Sequence, residues 1–322
     1  MPRHDSNKQT DMLRIAILDD YQDVALKSAD WSSLSDRATL TVFNDHVSDA
    51  NEIVDRLTAF DVVCVMRERT PLSRDILARL PQLKLIASTA PRNASIDVAA
   101  AADYNIEVMH TRYDSSPTVE LTWALILASA RNLIIETASV RSGGWQRTVG
   151  DGIRGKVLGI LGLGSIGSEV ARIAGAFGMK VIAWSENLAP EKAQEHGARR
   201  VSKQELFQES DILTIHLVLS SRTRGLVGES EFGLMKPSAR LINTSRGPIV
   251  DEKALVDALA KGRIAGAAID VFDVEPLPRD HALRQLDTVV ATPHIGYVSR
   301  DLYRVFYQDT VANIAGWLRR GT

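Results

Sequence analysis

The stretch Lys156-Val157-Leu158-Gly159-Ile160-Leu161-Gly162-Leu163-Gly164-Ser165-Ile166-Gly167 constrains the fold more than any other part of the chain. An apolar run suited to a buried strand meets three glycines spaced G-x-G-x-x-G, and a helical pattern, Ser168 to Phe177, follows. The spacing alone is a weak signal. Directly after a strand and at the opening of a helix it becomes the fingerprint of a dinucleotide-binding turn. Gly162 permits the tight turn, Gly164 lets the backbone approach a pyrophosphate, and Gly167 lets the helix pack close on the strand. The free N–H groups and positive dipole end of that helix favour phosphates. Glycines kept only for a tight strand-to-helix turn are the alternative.

Around this segment, short apolar, β-branched runs alternate with longer helical patterns from Leu13 onward, as in βαβ units whose parallel sheets are covered on both faces. A first series predicts strands at Leu13–Leu18, Leu40–Phe43, Val62–Met66, Lys84–Ser88 and Ile106–Met109. A second predicts six, at Val157–Leu161, Lys180–Trp184, Ile212–His216, Arg240–Asn243, Ala265–Val271 and Val289–Thr292, the number in a full dinucleotide-binding sheet. Between the series, Val119 to Ile135 is apolar almost all round, with Ser116 as the expected N-cap and Pro117 as the first helical residue. A helix without a polar face needs cover on every side, from a domain junction, another subunit or its own domain. The Gly-rich piece Arg141 to Trp145 ends this region, and Asp301 to Arg319 reads as a last amphipathic helix.

The 322 residues are about two domains' worth. A 45% hydrophobic and 24% charged composition excludes a disordered or fibrous chain. Lys+Arg 38 against Asp+Glu 40 leaves no positive surplus for a run of phosphates, so no nucleic-acid partner is expected. The longest strongly apolar stretch, Leu121 to Ala130, falls short of the roughly 20 residues a membrane span needs, so no membrane is expected either. The single cysteine, Cys64, closes no internal disulfide, and the polar start MPRHDSNKQTDM has no apolar signal region. The expectation is a soluble cytoplasmic protein whose first dozen residues are a disordered tail.

The strand after the glycine turn should end in the residue that reads the adenosine ribose, where an acid favours NAD. Here the order is Trp184-Ser185-Glu186-Asn187: Ser185 stands where an Asp is expected and the carboxylate comes one residue later. Glu186 would repel a 2′-phosphate, whereas Ser185 and Asn187, helped by Arg199 or Arg200, could accept one. NAD is the expectation, with NADP possible.

Asn243-Thr244-Ser245-Arg246-Gly247 lies at the carboxyl end of a predicted strand, the edge where open α/β sheets bind ligands. Arg246 is therefore aimed at the cofactor cleft, and its guanidinium suits the carboxylate of a small acid. Asp270 to Pro276 ends another strand in acids, and Thr292-Pro293-His294-Ile295-Gly296 sets a histidine just past the last strand. Glu275 or His294 alone would more often be structural. Together with Arg246 they form a set in which His294 can move the proton that accompanies hydride transfer, with Glu275 fixing its tautomer. No metal is expected.

On these residues the chain resembles the D-2-hydroxyacid dehydrogenases, an NAD(P)-dependent family that includes glyoxylate/hydroxypyruvate reductases and phosphoglycerate dehydrogenases. The match runs from about Leu13 to Trp317. The resemblance implies an Arg246/Glu275/His294 catalytic set and a pyrophosphate site at the backbone of Ser165 and Ile166, with Thr244 also at the cofactor. It implies that Asp270 holds the nicotinamide carboxamide and that the enzyme is a homodimer. The implied fold is α/β with two doubly wound parallel-sheet domains: a Rossmann dinucleotide-binding domain (113–295) inserted into a flavodoxin-like substrate domain (1–112 and 296–322). The substrate is a small 2-oxo or 2-hydroxy acid. The alternative within the family is a dinucleotide-sensing transcriptional co-regulator; the lack of a long tail favours the enzyme.

The chain departs from the family pattern at two places. The loop after the Lys84–Ser88 strand, usually glycine-rich, reads Ser88-Thr89-Ala90-Pro91-Arg92-Asn93. Pro91 has no N–H to give, which leaves Ala90, Arg92 and Asn93 as the expected substrate-binding residues, by backbone or side chain. Tyr297 stands where a small residue is usual, either narrowing the pocket or packing as an ordinary tyrosine.

Overall fold

The computed structural model describes residues 12–321. The expected disordered tail thus lies, Met12 aside, outside the described residues. The chain forms two compact units: one runs to Asp114 and resumes at Ser299, and the other is Ser115–Val298. The expected boundaries, 112/113 and 295/296, lie two and three residues from these.

The first unit holds five parallel strands: β1 (Leu13–Ile17), β2 (Ala38–Val42), β3 (Val62–Val65), β4 (Leu85–Ser88) and β5 (Glu107–His110). Their order, β2-β1-β3-β4-β5, is that of a flavodoxin-like sheet. Alternation along each strand explains the two covered faces. Ala16, Val63, Val65 and Ile86 join Ile53, Leu57, Ile76 and Leu77 in one core. The Arg300–Arg320 helix packs on β4 and β5 and on the Ala25–Ser28 helix. It is tied down where Arg112 pairs with Asp309 at 2.8 Å and Arg37 donates to the Leu318 carbonyl at 2.9 Å.

The second unit has seven strands, not six: β6 (Val157–Leu161), β7 (Lys180–Trp184), β8 (Arg199–Arg200), β9 (Ile212–Ile215), β10 (Arg240–Asn243), β11 (Gly266–Ile269) and β12 (Val289–Ala291), all parallel. The sheet order is β12-β11-β10-β9-β6-β7-β8, so chain direction across the sheet reverses between β6 and β9. Such a reversal opens the crevice in which doubly wound sheets bind ligands. One core lies between the sheet and the helices Lys203–Glu209, Glu229–Leu234 and Glu252–Ala260. A second lies on the opposite face, beneath Ser116–Ala130 and Ser165–Ala176.

The apolar run Val119–Ile135 is not one helix. It breaks at Asn132, whose left-handed backbone (φ 51°) bends Ser116–Ala130 away from Leu133–Arg141 by 68°. Asparagine tolerates that conformation better than most residues. The N-cap is Ser115, not Ser116, because the Ser115 carbonyl accepts the first bonds, from the Thr118 and Val119 N–H groups. The first of the two helices is covered within its own unit, by β10, β11, β12 and the Ser165–Ala176 helix. The second leaves Leu133, Ile134 and Val140 exposed, and Trp145 and Val149 follow it in the open. Among the described residues no single helix is long and apolar enough to cross a membrane.

Candidate active site

The glycine turn sits at the sheet's reversal, and its three glycines are needed for different reasons. Gly162 has φ +103°, and a Cβ there would lie 2.7 Å from the His216 carbonyl oxygen. At Gly167 a Cβ would fall 2.2 Å from the Gly162 carbonyl oxygen. At Gly164 a Cβ would meet no protein atom within 4 Å. The protein itself therefore does not require Gly164, whereas a group lying against the turn would. The helix begins at Ser165, three residues before the expected Ser168, and Ser168 N–H already bonds to Gly164 O. The N–H groups of Ser165, Ile166 and Gly167 are left without intrahelical acceptors beside that open position. A dinucleotide pyrophosphate fits this cradle.

Gly162 N–H donates to the Trp184 carbonyl at 2.9 Å, so the end of β7 lies against the turn. Ser185 is half-buried there and Glu186 is exposed, with no hydrogen bond or ion pair among the described residues. Arg199 lies in the extra strand β8, where its guanidinium holds the Glu209 carboxylate.

Past β10, the buried Thr244 shares a hydroxyl contact of 2.9 Å with Thr122. The Arg246 loop is braced from within: Asn243 Nδ2 donates to the Arg246 carbonyl at 3.0 Å, and Arg246 Nη1 donates to the Ser245 carbonyl at 2.7 Å. Gly247 touches the next strand's extension so closely that a Cβ would lie 2.1 Å from the Phe272 carbonyl carbon. Phe272 N–H donates to Glu275 Oε1 at 2.9 Å, and Glu275 Oε2 lies 2.6 Å from His294 Nδ1. A continuous line of contacts thus joins the loops after β10, β11 and β12. A carboxylate only accepts, so Nδ1 carries the hydrogen in that bond and Nε2 is the atom free to exchange a proton.

His294 has a left-handed backbone, φ 53°, unusual for a non-glycine residue. The turn that imposes it is clamped by Asp270, which is fully buried. Asp270 Oδ1 accepts from Thr292 Oγ1 at 2.6 Å and from Ile295 N–H at 2.9 Å, and Oδ2 accepts from Gly296 N–H at 2.8 Å. Burial pushes the Asp270 carboxyl above the usual range, against those hydrogen bonds and the attraction of His294. Asp270 therefore has a structural duty that its sequence position did not reveal. The signal was available in part: a buried strand ending in an acid beside a strand followed by Thr-x-His-x-Gly.

In the first unit, hydrogen bonds within the loop after β4 narrow the donors it offers to a substrate. Ala90 N–H is spent on Thr111 Oγ1 at 2.8 Å, and its carbonyl oxygen lies 3.1 Å from His110 Nδ1. Both Asn93 amide hydrogens are spent as well, on the Arg67 carbonyl at 2.6 Å and Ser88 Oγ at 3.2 Å. Neither the Ala90 N–H nor the Asn93 amide nitrogen is thus available to a substrate. Arg92 is exposed and forms no ion pair among the described residues. The backbone N–H groups of Arg92, Asn93 and Ala94 find no acceptor there either. Among the described residues, no group of three or more His, Cys, Asp or Glu is placed to hold a metal ion.

The sequence profile of D-isomer specific 2-hydroxyacid dehydrogenases, NAD binding domain, matches residues 123–296. The chain belongs to this family. A glyoxylate reductase of Aeropyrum pernix is 46% identical over 237 residues, 70% of this chain and 71% of that one. A hydroxypyruvate reductase of Thermotoga maritima is 36% identical over 84% of this chain and 89% of its own length. Among solved structures, a phosphoglycerate oxidoreductase of Vibrio cholerae superposes with a TM-score of 0.91 at 35% identity, covering 96% of this chain and all of that one. As a D-2-hydroxyacid dehydrogenase, the protein is an NAD(H)-binding oxidoreductase with a Rossmann domain.

Proposed function

We propose that this dehydrogenase interconverts a small 2-oxo acid and its D-2-hydroxy acid, with Arg246 binding the substrate and the His294/Glu275 pair handling the proton. The observation that carries this reading is the 2.6 Å contact between His294 Nδ1 and Glu275 Oε2, joined through Phe272 to the Arg246 loop. When bound, the nicotinamide supplies the hydride. Arg246 offers a planar pair of donors to the acid's carboxylate and keto oxygen. Within the first unit, the donors proposed for an acid are the unspent N–H groups of Arg92 and Asn93 and the Arg92 guanidinium. As charge develops on the keto oxygen, His294 delivers a proton from Nε2, and Glu275 stabilises the imidazolium that gives it. The names of the relatives suggest glyoxylate and hydroxypyruvate as first substrates.

NAD is the proposed cofactor rather than NADP, because the exposed Glu186 carboxylate follows the end of β7 beside the glycine turn and would repel a 2′-phosphate. A homodimer is proposed as well. The apolar side chains of Leu133, Ile134, Val140, Trp145 and Val149, exposed in one contiguous piece of sequence, support it.

The test is NADH and NADPH oxidation with glyoxylate, hydroxypyruvate, pyruvate and bulkier 2-oxo acids. Turnover of at least one small 2-oxo acid is expected; failure with all of them and both cofactors overturns the reading. Glu186→Ser should raise kcat/KM for NADPH relative to NADH, and no response would place that carboxylate away from the ribose. Sedimentation of the wild type and of Val140→Glu should show a dimer and its loss.

A further inference from the structure

The hydrogen bond to Glu275 fixes one atom of the His294 ring and leaves the plane of the ring free to swing about it. A second group constrains that plane. Tyr297 is buried, its ring centroid lies 5.7 Å from that of His294, and the two planes meet at 75°. Separation and angle both fall where aromatic pairs attract, edge against face. The backbone between the two residues makes the contact reproducible. Asp270 holds the Ile295 and Gly296 N–H groups, Thr118 Oγ1 donates to the Gly296 carbonyl at 3.1 Å, and Val298 N–H donates to the Ile295 carbonyl at 2.8 Å. The turn therefore holds the two side chains' points of attachment at a fixed separation.

We propose that Tyr297 is a positioning residue for His294: its ring sets the plane of the imidazole while Glu275 sets the tautomer, and together they leave Nε2 in one direction. This rests on the proton-donor role given to His294 above. It assigns the tyrosine to the proton-transfer machinery and not to the wall that selects substrate size. The aromatic ring is the working part in this proposal, so replacing tyrosine by phenylalanine should preserve the effect.

Two readouts test this, and the first needs no turnover. In protein carrying ¹⁵N-histidine, with His294→Asn used for assignment, the Nδ1 proton held against Glu275 should give a downfield resonance in the wild type and in Tyr297→Phe. It should broaden into solvent exchange in Tyr297→Leu. In the second, Tyr297→Leu should lower kcat for 2-oxo acid reduction about 10-fold, the scale of an aromatic pair's contribution, with KM for the acid and affinity for NADH within about twofold, while Tyr297→Phe stays near wild type. If Tyr297→Leu does not fold, Tyr297→Met, which fills the space without a ring, takes its place. An unchanged resonance and kcat in the ring-less variant would overturn the proposal. So would a rise in kcat/KM for bulkier 2-oxo acids with the resonance intact, which would make Tyr297 a pocket wall. A wild type that shows the resonance but reduces no 2-oxo acid would instead count against the proposed reaction.

Discussion

His294 Nδ1 and Glu275 Oε2 lie 2.6 Å apart, although the two residues follow different strands and are 19 positions apart in sequence. If this pair runs the proton step, His294→Ala should lower kcat by about 10²- to 10⁴-fold. NADH affinity, measured by fluorescence titration, should stay near that of the wild type. Glu275→Gln removes the anion that orients the imidazole and stabilises the charge it carries during the proton step, so kcat for ketone reduction should fall while NADH affinity holds. An unchanged kcat would place Glu275 outside the relay.

Arg246→Lys keeps the charge and loses the planar two-donor fork. The damage should fall on the acid and spare the cofactor. Separate titrations with NADH and with a 2-oxo acid inhibitor distinguish the two, and a loss confined to NADH would refute the role.

Two glycines in one turn should respond in opposite ways. Gly164→Ala adds a Cβ that meets no protein atom within 4 Å, so the melting temperature should hold while NADH binding weakens. Gly167→Ala drives a Cβ to 2.2 Å from the Gly162 carbonyl oxygen, so the fold itself should lose stability. Equal effects on melting would show that Gly164 is kept for the chain and not for a ligand.

Burial pushes His216 down to about 3 from its ordinary 6.5, and its Nε2 lies 2.9 Å from Thr214 Oγ1. The unfolded chain takes up a proton as pH falls through its ordinary value, while the folded chain does not until far lower. Stability from this group is therefore present above about pH 6.5 and lost on acidification, by at most about 2 kcal/mol at pH 5. His216→Gln should flatten the fall in melting temperature between pH 7 and pH 5. Parallel melting curves would rule the group out.

The strands that bury both faces were legible because their side chains are almost all apolar, as in Val62–Val65 and, Thr214 aside, Ile212–Ile215. Strand β8 was not, since Arg199 and Arg200 are both exposed and carry no apolar pattern. The break at Asn132 was hidden because the residues on either side are equally apolar, and only a backbone angle separates the two helices. Arg246, Glu275 and His294 stood out by chemistry at strand ends. The spending of Ala90 N–H on Thr111, and of the Asn93 amide on Arg67 and Ser88, depends on partners up to 26 residues away. No local pattern announces such bonds.

The first unit is completed by a helix from the far end of the chain, held by the Arg112–Asp309 pair and by the Arg37 bond to Leu318. Ser115–Val298 is contiguous and can close on itself as it leaves the ribosome. The residues up to Asp114 emerge first yet must wait for Arg300–Arg320, holding an uncovered sheet face through the synthesis of nearly two hundred residues. The segment made first is thus the last to finish folding, and a stalled nascent chain would present that bare face to chaperones.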